Sequence, residues 1–471
     1  MILTLLLGCD QTAPPSQTLP LTPCHVTGLD AESLCGTLSV VEDPSAPDGE
    51  AIELHVLVIP AVSPNPEPDP LFFLAGGPGQ AASDVAATMM PALSRIQKRR
   101  NLVFVDQRGT GQSARLRCPE PGALTLAEEL ALDVSEASAD CLASLDTDPG
   151  LYTTPIAMDD LDAVRAALGY DTINLYGVSY GTRAGLVYMR RHPERVRTAI
   201  LDGVAPMEMV LGLEFARDGE AALAAVFDDC AADPACAEAF PTLAADFQGL
   251  LDSLPRTITF THGRTGEPEE IVLTRELFVG GVRSQLYSTP FASLLPLAIT
   301  DAVAGDFSPI MAQTVGFSEG VVDSISDGMQ LAVLCAEDAH RLPADPGPFV
   351  DGTFLGDTVV ADFAAMCAGW PRPALPDGYY APVHSDAPTL LLSGGLDPVT
   401  PPRWADLAAE TLPSSRHLIA PGAGHNVAPL GCVPRLMAEF IDAGSATDLE
   451  VDCMDAITRP PFFIDFAGPA K

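Results

Sequence analysis

Short apolar runs alternate with helix-like stretches over the first half of the chain. Runs that are apolar almost throughout and bounded by turn residues predict buried strands at 51–60, 70–80, 101–113, 171–179 and 197–206. Between two of them, apolar residues recur at helical spacing, as at Leu161, Val164 and Leu168. Fully apolar strands that alternate with helices are typical of a parallel sheet covered on both faces. The pattern therefore predicts an α/β fold.

This alternation is interrupted in the middle of the chain. Ala- and Leu-rich helical runs broken by prolines dominate there, and a strand pattern resumes at 387–402. We therefore expect a helical cap inserted into an α/β core. The predicted parts are a lipoprotein-type signal segment (1–9), a flexible tether (10–24), the first part of the core (25–206), the cap (207–385) and the rest of the core (386–471).

The N-terminal segment carries a candidate lipidation site. Leu6-Leu7-Gly8-Cys9 resembles the lipobox of bacterial lipoproteins, in which the cysteine is acylated and becomes the mature N-terminus. No basic residue precedes the apolar run, which is shorter than the ~7–15 residues of a usual export signal. A disordered apolar tail is therefore the alternative. No other segment is long and apolar enough to span a bilayer, so a lipid on Cys9 would be the one link to a membrane.

Ten further cysteines support export. They fall into pairs of sequence neighbours: Cys24/Cys35, Cys118/Cys141, Cys230/Cys236, Cys335/Cys367 and Cys432/Cys453. Pairing between neighbours closes short loops and is the simplest of many connectivities, and free buried thiols are the alternative. Disulfides indicate an oxidising compartment, so we expect an exported protein of the bacterial cell envelope or a secreted one. No C-x-x-C or His-x-His cluster indicates a metal site, and none is predicted.

The charge of the chain excludes some partners. It has 63 acidic residues against 25 basic ones, a formal net charge of -38. Such a surface repels the phosphates of nucleic acids and of anionic lipids, so neither is a predicted partner. The charge favours a well-solvated surface over a role in steering substrate.

One serine has the surroundings of a nucleophile. In NLYGVSYGTRAG, residues 174–185, Ser179 stands between Gly177 and Gly181, with a strand before it and a helix after it. This strand-turn-helix is the setting of a nucleophile elbow, a turn so sharp that its neighbours must be small. The serine hydroxyl would lie at the N-terminus of the helix. The helix dipole and the N–H of Tyr180 would there favour a developing negative charge.

Two further residues complete a candidate triad. A serine hydroxyl needs a base, and the base needs an orienting carboxylate. In this architecture the acid and then the histidine follow the serine along the chain. Asp397, in LLLSGGLDPVTPP, and His425, in GAGHNV, each follow a predicted strand. Alone, one would be a turn former and the other a surface histidine, but together with Ser179 they predict a catalytic triad.

Two glycine-rich loops accompany the triad. Gly76 and Gly77, in the GGPG loop after a strand, would supply the second half of an oxyanion hole with Tyr180, and a plain turn is the alternative. In DQRGTGQS, Asp106 and Arg108 are predicted to pair with each other. That pair would support the GGPG loop and take no part in the chemistry.

Together these motifs resemble the α/β-hydrolase fold. More narrowly, they resemble the serine aminopeptidase family that contains proline iminopeptidases and secreted bacterial tripeptidyl aminopeptidases. GGPG, DQRGTGQS, GVSYGT, GGLDPVTPP and GAGH recur in that group in this order. The resemblance runs from about residue 50 to 455, and the C-terminal part resembles a tripeptidyl-aminopeptidase-type end domain. Ala75 stands where many relatives have histidine, which suits the larger exported enzymes.

The resemblance implies a peptidase that removes short units from free N-termini and uses acidic cap residues to hold the ammonium group. Glu337 and Asp338, in LAVLCAEDAH, are the candidates, and a solvated acidic pair is the alternative. Such an enzyme needs no metal or organic cofactor, and we expect a monomer. The competing functions are an esterase or other small-molecule hydrolase on the same fold, and a non-catalytic binding protein of the cell envelope.

Overall fold

The computed structural model describes residues 18–30, 32–119, 128, 132–263, 265–322 and 324–470. The predicted signal segment and Cys9 lie outside these residues. The strands in chain order are β1 (Thr22–Cys24), β2 (Ser33–Val41), β3 (Ala51–Ile59), β4 (Leu71–Leu74), β5 (Leu102–Val105), β6 (Ile173–Val178), β7 (Val196–Asp202), β8 (Arg256–Thr261), β9 (Pro268–Leu273), β10 (Thr389–Gly394), β11 (Ser415–Ala420), β12 (Phe463–Asp465) and β13 (Gly468–Pro469).

Nine of these strands form one sheet in the order β1-β2-β3-β5-β4-β6-β7-β10-β11. The six from β5 to β11 run parallel, and β1, β2 and β3 add an antiparallel edge. Every residue of β4, β5, β6 and β10 is buried, as expected of strands covered on both faces. The predicted mostly parallel sheet is confirmed.

The helices cover both faces of the sheet and build the cap. In chain order they are α1 (Ala82–Gln97), α2 (Val134–Ser144), α3 (Thr154–Ala167), α4 (Tyr180–Arg191), α5 (Phe215–Ala232), α6 (Pro234–Ala239), α7 (Leu243–Asp252), α8 (Arg275–Leu286), α9 (Thr289–Ala292), α10 (Leu295–Ala304), α11 (Ser308–Val322), α12 (Asp327–Glu337), α13 (Gly347–Val350), α14 (Thr358–Met366), α15 (Pro402–Ala409) and α16 (Val433–Ala443). Short 3-10 turns lie at Pro149–Leu151, Pro193–Arg195, Ala339–Arg341 and Asp452–Ala456.

Alternate residues of the central strands face opposite helical layers. Phe72 and Leu175 pack in the cluster that contains α3 and α4, whereas Phe73 and Tyr176 pack in the cluster that contains α1 and α16. Successive side chains of a strand point to opposite faces, so a continuous apolar run covers both. The continuous runs that predicted these strands follow from this arrangement.

The cap has an apolar core of its own. Its buried side chains come from residues 213–311 and 350–360, with Phe462 added from the C-terminal segment. The region is not helical throughout, because β8 and β9 form an antiparallel hairpin within it. Residues 329–335 and 367–383, also inside the predicted cap, instead contribute buried side chains to the cluster around α3 and α4. The stretch 207–385 therefore supplies side chains both to the apolar core of the cap and to the cluster around α3 and α4.

The N-terminal edge and the disulfides complete the fold. Thr22–Cys24 pair with β2, so the prediction of a tether is wrong for these residues. The structure contains all of the predicted disulfides: Cys24–Cys35, Cys118–Cys141, Cys230–Cys236, Cys335–Cys367 and Cys432–Cys453. The first of them joins β1 to β2. Across the described ranges, no helix has the length and apolar character that crossing a membrane requires.

Candidate active site

Ser179 occupies the sharp turn between β6 and α4. Its backbone has φ 55° and ψ -125°, a conformation that residues with a side chain rarely adopt. The turn brings backbones so close together that its neighbours must be glycine. A Cβ on Gly181 would lie 2.1 Å from the carbonyl oxygen of Leu74, and one on Gly177 would lie 2.4 Å from that of Gly181. The spacing G-x-S-x-G thus has a steric cause in this structure.

The surroundings of Ser179 favour negative charge. Tyr180 is the first residue of α4, where a backbone N–H has no acceptor within the helix. The GGPG loop lies directly beside the serine, since a Cβ on Gly76 would come within 3.3 Å of the Ser179 Cβ. Gly76, Gly77, Ser179 and Tyr180 line one cavity. The predicted oxyanion-hole residues are therefore brought together with the nucleophile.

His425 and Asp397 form a buried pair at the same cavity. The His425 Nδ1 lies 2.7 Å from the Asp397 Oδ2, and their side chains are 5% and 0% exposed. Asp397 also accepts hydrogen bonds from the N–H groups of Val399 (2.8 Å) and Thr400 (2.9 Å). The backbone N–H of His425 donates to the carbonyl oxygen of Tyr287 at 2.9 Å. The contact between Asp397 and the His425 Nδ1 is the one that orients the imidazole in a catalytic triad.

These contacts decide the charge of the pair. Burial disfavours the charged form of Asp397, but His425 and the two backbone N–H groups outweigh it and hold the pKa of Asp397 below its usual value. Burial likewise opposes the charged form of His425. The negative charge and hydrogen bond of Asp397 outweigh this effect and raise the pKa of His425 above its usual value, with a smaller contribution from Asp202 and an opposing one from Arg283.

Two residues that the sequence analysis missed hold this arrangement. Asp202, at the end of β7, is buried and accepts hydrogen bonds from the N–H groups of Val427 and Ala428 and from the hydroxyl of Tyr176. It therefore fixes the chain just after His425. The hydroxyl of Thr400 donates to the Asp397 Oδ2 at 2.8 Å. An acidic residue at the end of an apolar strand, in RTAILDGVAP, was the available signal for Asp202.

Residues of the core and of the cap region both line the cavity, which has a volume of about 520 Å³. Ser179 and His425 belong to this lining. The cap region contributes apolar and aromatic side chains: Leu211, Phe215, Leu334, Phe363 and Tyr287. A mostly apolar cavity of this size is typical of sites for small ligands. The cavity is thus large enough for a small ligand.

Glu337 and Asp338 lie elsewhere than predicted. Neither lines the cavity, and their exposures are 0% and 1%. Glu337 accepts hydrogen bonds from the N–H and hydroxyl of Thr154 and from the Tyr379 hydroxyl. Burial raises its pKa to about 7. The predicted ammonium site is therefore wrong for this pair, because both carboxylates are occupied inside the protein.

The partners of Asp338 are equally internal. Its carboxylate pairs with the Arg183 Nη1 at 2.7 Å and the Arg341 Nη1 at 3.2 Å, and it accepts from the N–H of Leu211. These contacts join α4 and the segment after β7 to the end of α12. Asp338 is thus a structural anchor for the wall of the cavity.

Asp106 and Arg108 do not pair with each other, so that prediction is also wrong. Asp106 accepts hydrogen bonds from the N–H and hydroxyl of Ser83, near the start of α1. Arg108 forms a two-point ion pair with Asp160 on α3. Asp106 therefore steadies the helix that follows the GGPG loop. Across the described residues, no three His, Cys, Asp or Glu side chains are grouped as metal ligands.

Comparison with known proteins gives relatives along most of the chain. A family model described as the alpha/beta hydrolase fold matches residues 69–431, a range that includes Ser179, Asp397 and His425. The serine protease Hip1 of Mycobacterium tuberculosis (strain ATCC 25618 / H37Rv) is 27% identical over 491 aligned positions, which cover 93% of this chain and 91% of Hip1.

Two other relatives differ in the activity they are named for. A tripeptidyl aminopeptidase of Streptomyces lividans is 32% identical over 194 positions, covering 36% of this chain and 35% of that protein. Carboxylesterase B of Mycobacterium tuberculosis (strain CDC 1551 / Oshkosh) is 28% identical over 416 positions, covering 78% of this chain and 76% of the relative. The names agree on hydrolysis and differ over its substrate.

The first prediction concerns the nucleophile. A fluorophosphonate probe should label the wild-type protein, and mass spectrometry should place the adduct on Ser179. Ser179→Ala should abolish labelling, whereas Ser284→Ala, which removes another hydroxyl from the same cavity, should leave it unchanged. Labelling of the Ser179→Ala protein at wild-type rate would contradict the assignment.

The second prediction concerns pH. His425 must be neutral to accept a proton, so kcat/KM should fall as the pH drops through its pKa. Because this pKa is raised, the midpoint of the acid limb should lie above about 6.5, the usual value for histidine. A pH profile of kcat/KM measures it. A midpoint clearly below that value would contradict the raised pKa of His425 or its role as the base.

The third prediction separates the structural role of Glu337 from the ammonium-binding role. Glu337→Ala leaves the buried donors of Thr154 and Tyr379 unpaired, so the free energy of unfolding should fall by about 2–4 kcal/mol. Glu238→Ala, at an exposed position of the cap, is the control and should stay within about 0.5 kcal/mol of the wild type. Denaturant titration measures both. A large rise in KM with stability intact would restore the original prediction.

Proposed function

Since this chain belongs to the alpha/beta hydrolase family and is a serine hydrolase of the peptidase type, we propose that it releases short units from the amino end of peptides. The reaction would proceed through Ser179, His425 and Asp397. The observation that carries the proposal is the buried Asp397–His425 pair, 2.7 Å apart, at the cavity that also contains the strained Ser179. No organic cofactor or metal enters the proposed chemistry.

The proposed mechanism begins with proton transfer. His425 accepts the proton of the Ser179 hydroxyl as its oxygen attacks the substrate carbonyl, and Asp397 holds the imidazole tautomer and stabilises its charged form. The N–H of Tyr180 and the backbone N–H groups of the Gly76–Gly77 loop bind the oxyanion. His425 then protonates the leaving amine. Water repeats the cycle on the acyl-enzyme and releases the short unit.

The proposed preference for the amino end of peptides rests on the size of the cavity and on the activity that one relative is named for. A volume of about 520 Å³ accommodates a few residues of a peptide. One relative is named as a tripeptidyl aminopeptidase, which supports peptides with a free N-terminus as the substrate class. With Glu337 and Asp338 excluded, and with no aspartate or glutamate among the described residues that line the cavity, the ammonium group would be held by uncharged oxygen acceptors.

We also propose that the protein is exported and acts as a monomer. The five disulfides favour an oxidising compartment. The proposed lipid on Cys9 would hold the enzyme at the cell envelope, and a form without this lipid would be secreted. The strongly negative surface, with a formal net charge of -38, keeps the chain soluble beside such a membrane.

An esterase is the second candidate. The apolar side chains of Phe215, Leu334 and Phe363 in the cavity suit an acyl chain, and one relative is named carboxylesterase B. The same triad attacks esters and amides, so the cap decides between them. A non-catalytic binding protein is disfavoured, because a binder needs neither the strain at Ser179 nor the buried acid–histidine pair.

The fourth prediction tests this choice. Ala-Ala-Pro-p-nitroanilide with a free amino end should be hydrolysed, whereas its acetylated form should react at least about tenfold more slowly, since the amino group would lose its charge-assisted hydrogen bonds. A p-nitrophenyl ester is assayed in parallel, with Ser179→Ala protein as the blank. Hydrolysis of the ester alone would overturn the peptidase proposal and leave the triad intact.

A further inference from the structure

The cavity contains a cation that has no counter-ion among the described residues. Arg283, in the last turn of α8, lines the same cavity as Ser179 and His425. Its Nε is buried and has no hydrogen-bond partner. Among the described residues, no ion pair includes Arg283, and no aspartate or glutamate lines the cavity. Among the residues that the structure describes, this guanidinium therefore has no acidic partner at the site of the proposed chemistry.

Arg283 itself is half-buried, and the fully buried arginines of the protein have a different environment. Arg108 pairs with Asp160, and Arg183 pairs with Asp338, each inside the fold. Burial of a charge costs a great deal of free energy unless it has a partner, and these two arginines follow that rule. Arg283, in the lining of the cavity, has no ion-pair partner among the described residues. A group from outside the chain, carrying negative charge, would supply the missing partner.

The guanidinium is held in place by aromatic rings. Its central carbon lies 4.8 Å from the centre of the Phe215 ring and 5.3 Å from that of the Tyr287 ring. The Arg283 Nη2 also donates to the Tyr287 hydroxyl at 3.1 Å. Contact with the two rings restrains the guanidinium, and its remaining N–H groups can donate charge-assisted hydrogen bonds to a carboxylate. The cation is thus preorganised for a planar anion.

The position of Arg283 relates it to the catalytic histidine. The ring of Tyr287 stacks against Arg283 and also meets the ring of His425 edge-on, with the two ring centres 5.3 Å apart. One side chain therefore separates the cation from the base. An extended peptide spans at most ~3.3–3.6 Å per residue, so a group bound at Arg283 lies within a few residues of the bond that Ser179 attacks.

We propose that Arg283 binds a carboxylate of the substrate and that this contact helps to select which peptides are cleaved. The carboxylate comes either from the C-terminus of a short peptide or from an aspartate or glutamate side chain near the scissile bond. The inference rests on the proposed peptidase function for its substrate class. The contact itself is a property of the cavity and can be tested without turnover.

Binding to an inactive enzyme tests the contact directly. Isothermal titration calorimetry on Ser179→Ala protein compares two pairs of peptides that differ in one charge: Ala-Ala-Ala against its C-terminal amide, and Ala-Ala-Asp-amide against Ala-Ala-Asn-amide. At least one acid should bind about tenfold or more tightly than its neutral partner, as expected for a charge-assisted hydrogen bond. The first pair reports a terminal carboxylate and the second a side-chain carboxylate.

A second substitution assigns the preference to Arg283. In Ser179→Ala/Arg283→Gln protein, the ratio of acid to neutral affinity should fall to about one, and Arg283→Lys should restore part of it. Ser179→Ala/Arg217→Gln is the matched control, because Arg217 is exposed on the cap, where its guanidinium lies 5.4 Å from the centre of the Phe349 ring. It should leave the ratio unchanged.

The outcomes separate this inference from the proposed function. Equal binding of acid and neutral peptides, including no binding by either, overturns the role of Arg283, as does a preference that survives Arg283→Gln. Failure of the wild-type protein to cleave any of these peptides, with ester hydrolysis intact, overturns the peptidase proposal alone. Fluorophosphonate labelling of Ser179 in Arg283→Gln protein shows that the triad has survived the substitution, although the lost charge near His425 can change its rate.

Discussion

The close approach of three backbone segments around Ser179, the proposed nucleophile, governs this structure. The N-terminus of α4 lies so close to the ends of β4 and β6 that Gly181 has no space for a Cβ beside the Leu74 carbonyl oxygen. That approach forces Ser179 into its strained conformation and sets its hydroxyl before the free N–H groups of the helix. The sheet order β6-β7-β10 places Asp202, the last residue of β7, on the strand next to the one before Ser179, and the loop with Asp397 follows β10, one strand further along. The catalytic geometry is therefore a consequence of the sheet.

Charged groups have different environments at the surface and in the interior of the protein. The surface carries most of the excess negative charge, whereas buried carboxylates have assigned partners: Asp397 has His425, Asp338 has Arg183, and Asp202 has the backbone after His425. These partners decide whether a carboxylate orients the base, supports a wall or fixes a loop. Arg283 is the complementary case, a cation whose partner would arrive with the substrate.

The sequence was sufficient for the parts of the site that depend on local pattern. Ser179, Asp397 and His425 follow strands in a fixed order, and the structure brings the acid and histidine into contact at the serine's cavity. The resemblance to the α/β-hydrolases is confirmed by the family match. The prediction for Glu337 was wrong because its position at the end of a helix does not reveal that the side chain is buried. Asp202 contacts Val427, and Arg283 contacts Phe215. These partners are distant in sequence, so a local pattern could not predict either contact. The hairpin β8–β9 has the alternating exposure of a two-stranded ribbon, which the surrounding helical runs concealed.

The most direct test of the account is to trap the acyl-enzyme formed from a peptide. Wild-type protein is mixed with a short unblocked peptide ester or anilide, quenched with acid within milliseconds to seconds, digested and examined by tandem mass spectrometry. The account predicts that the fragment containing Ser179 gains the mass of the peptide's amino-terminal unit, and that Asp397→Asn protein accumulates far less of it because acylation slows. An adduct on another residue, or cleavage without any covalent intermediate at Ser179, would contradict the proposed chemistry.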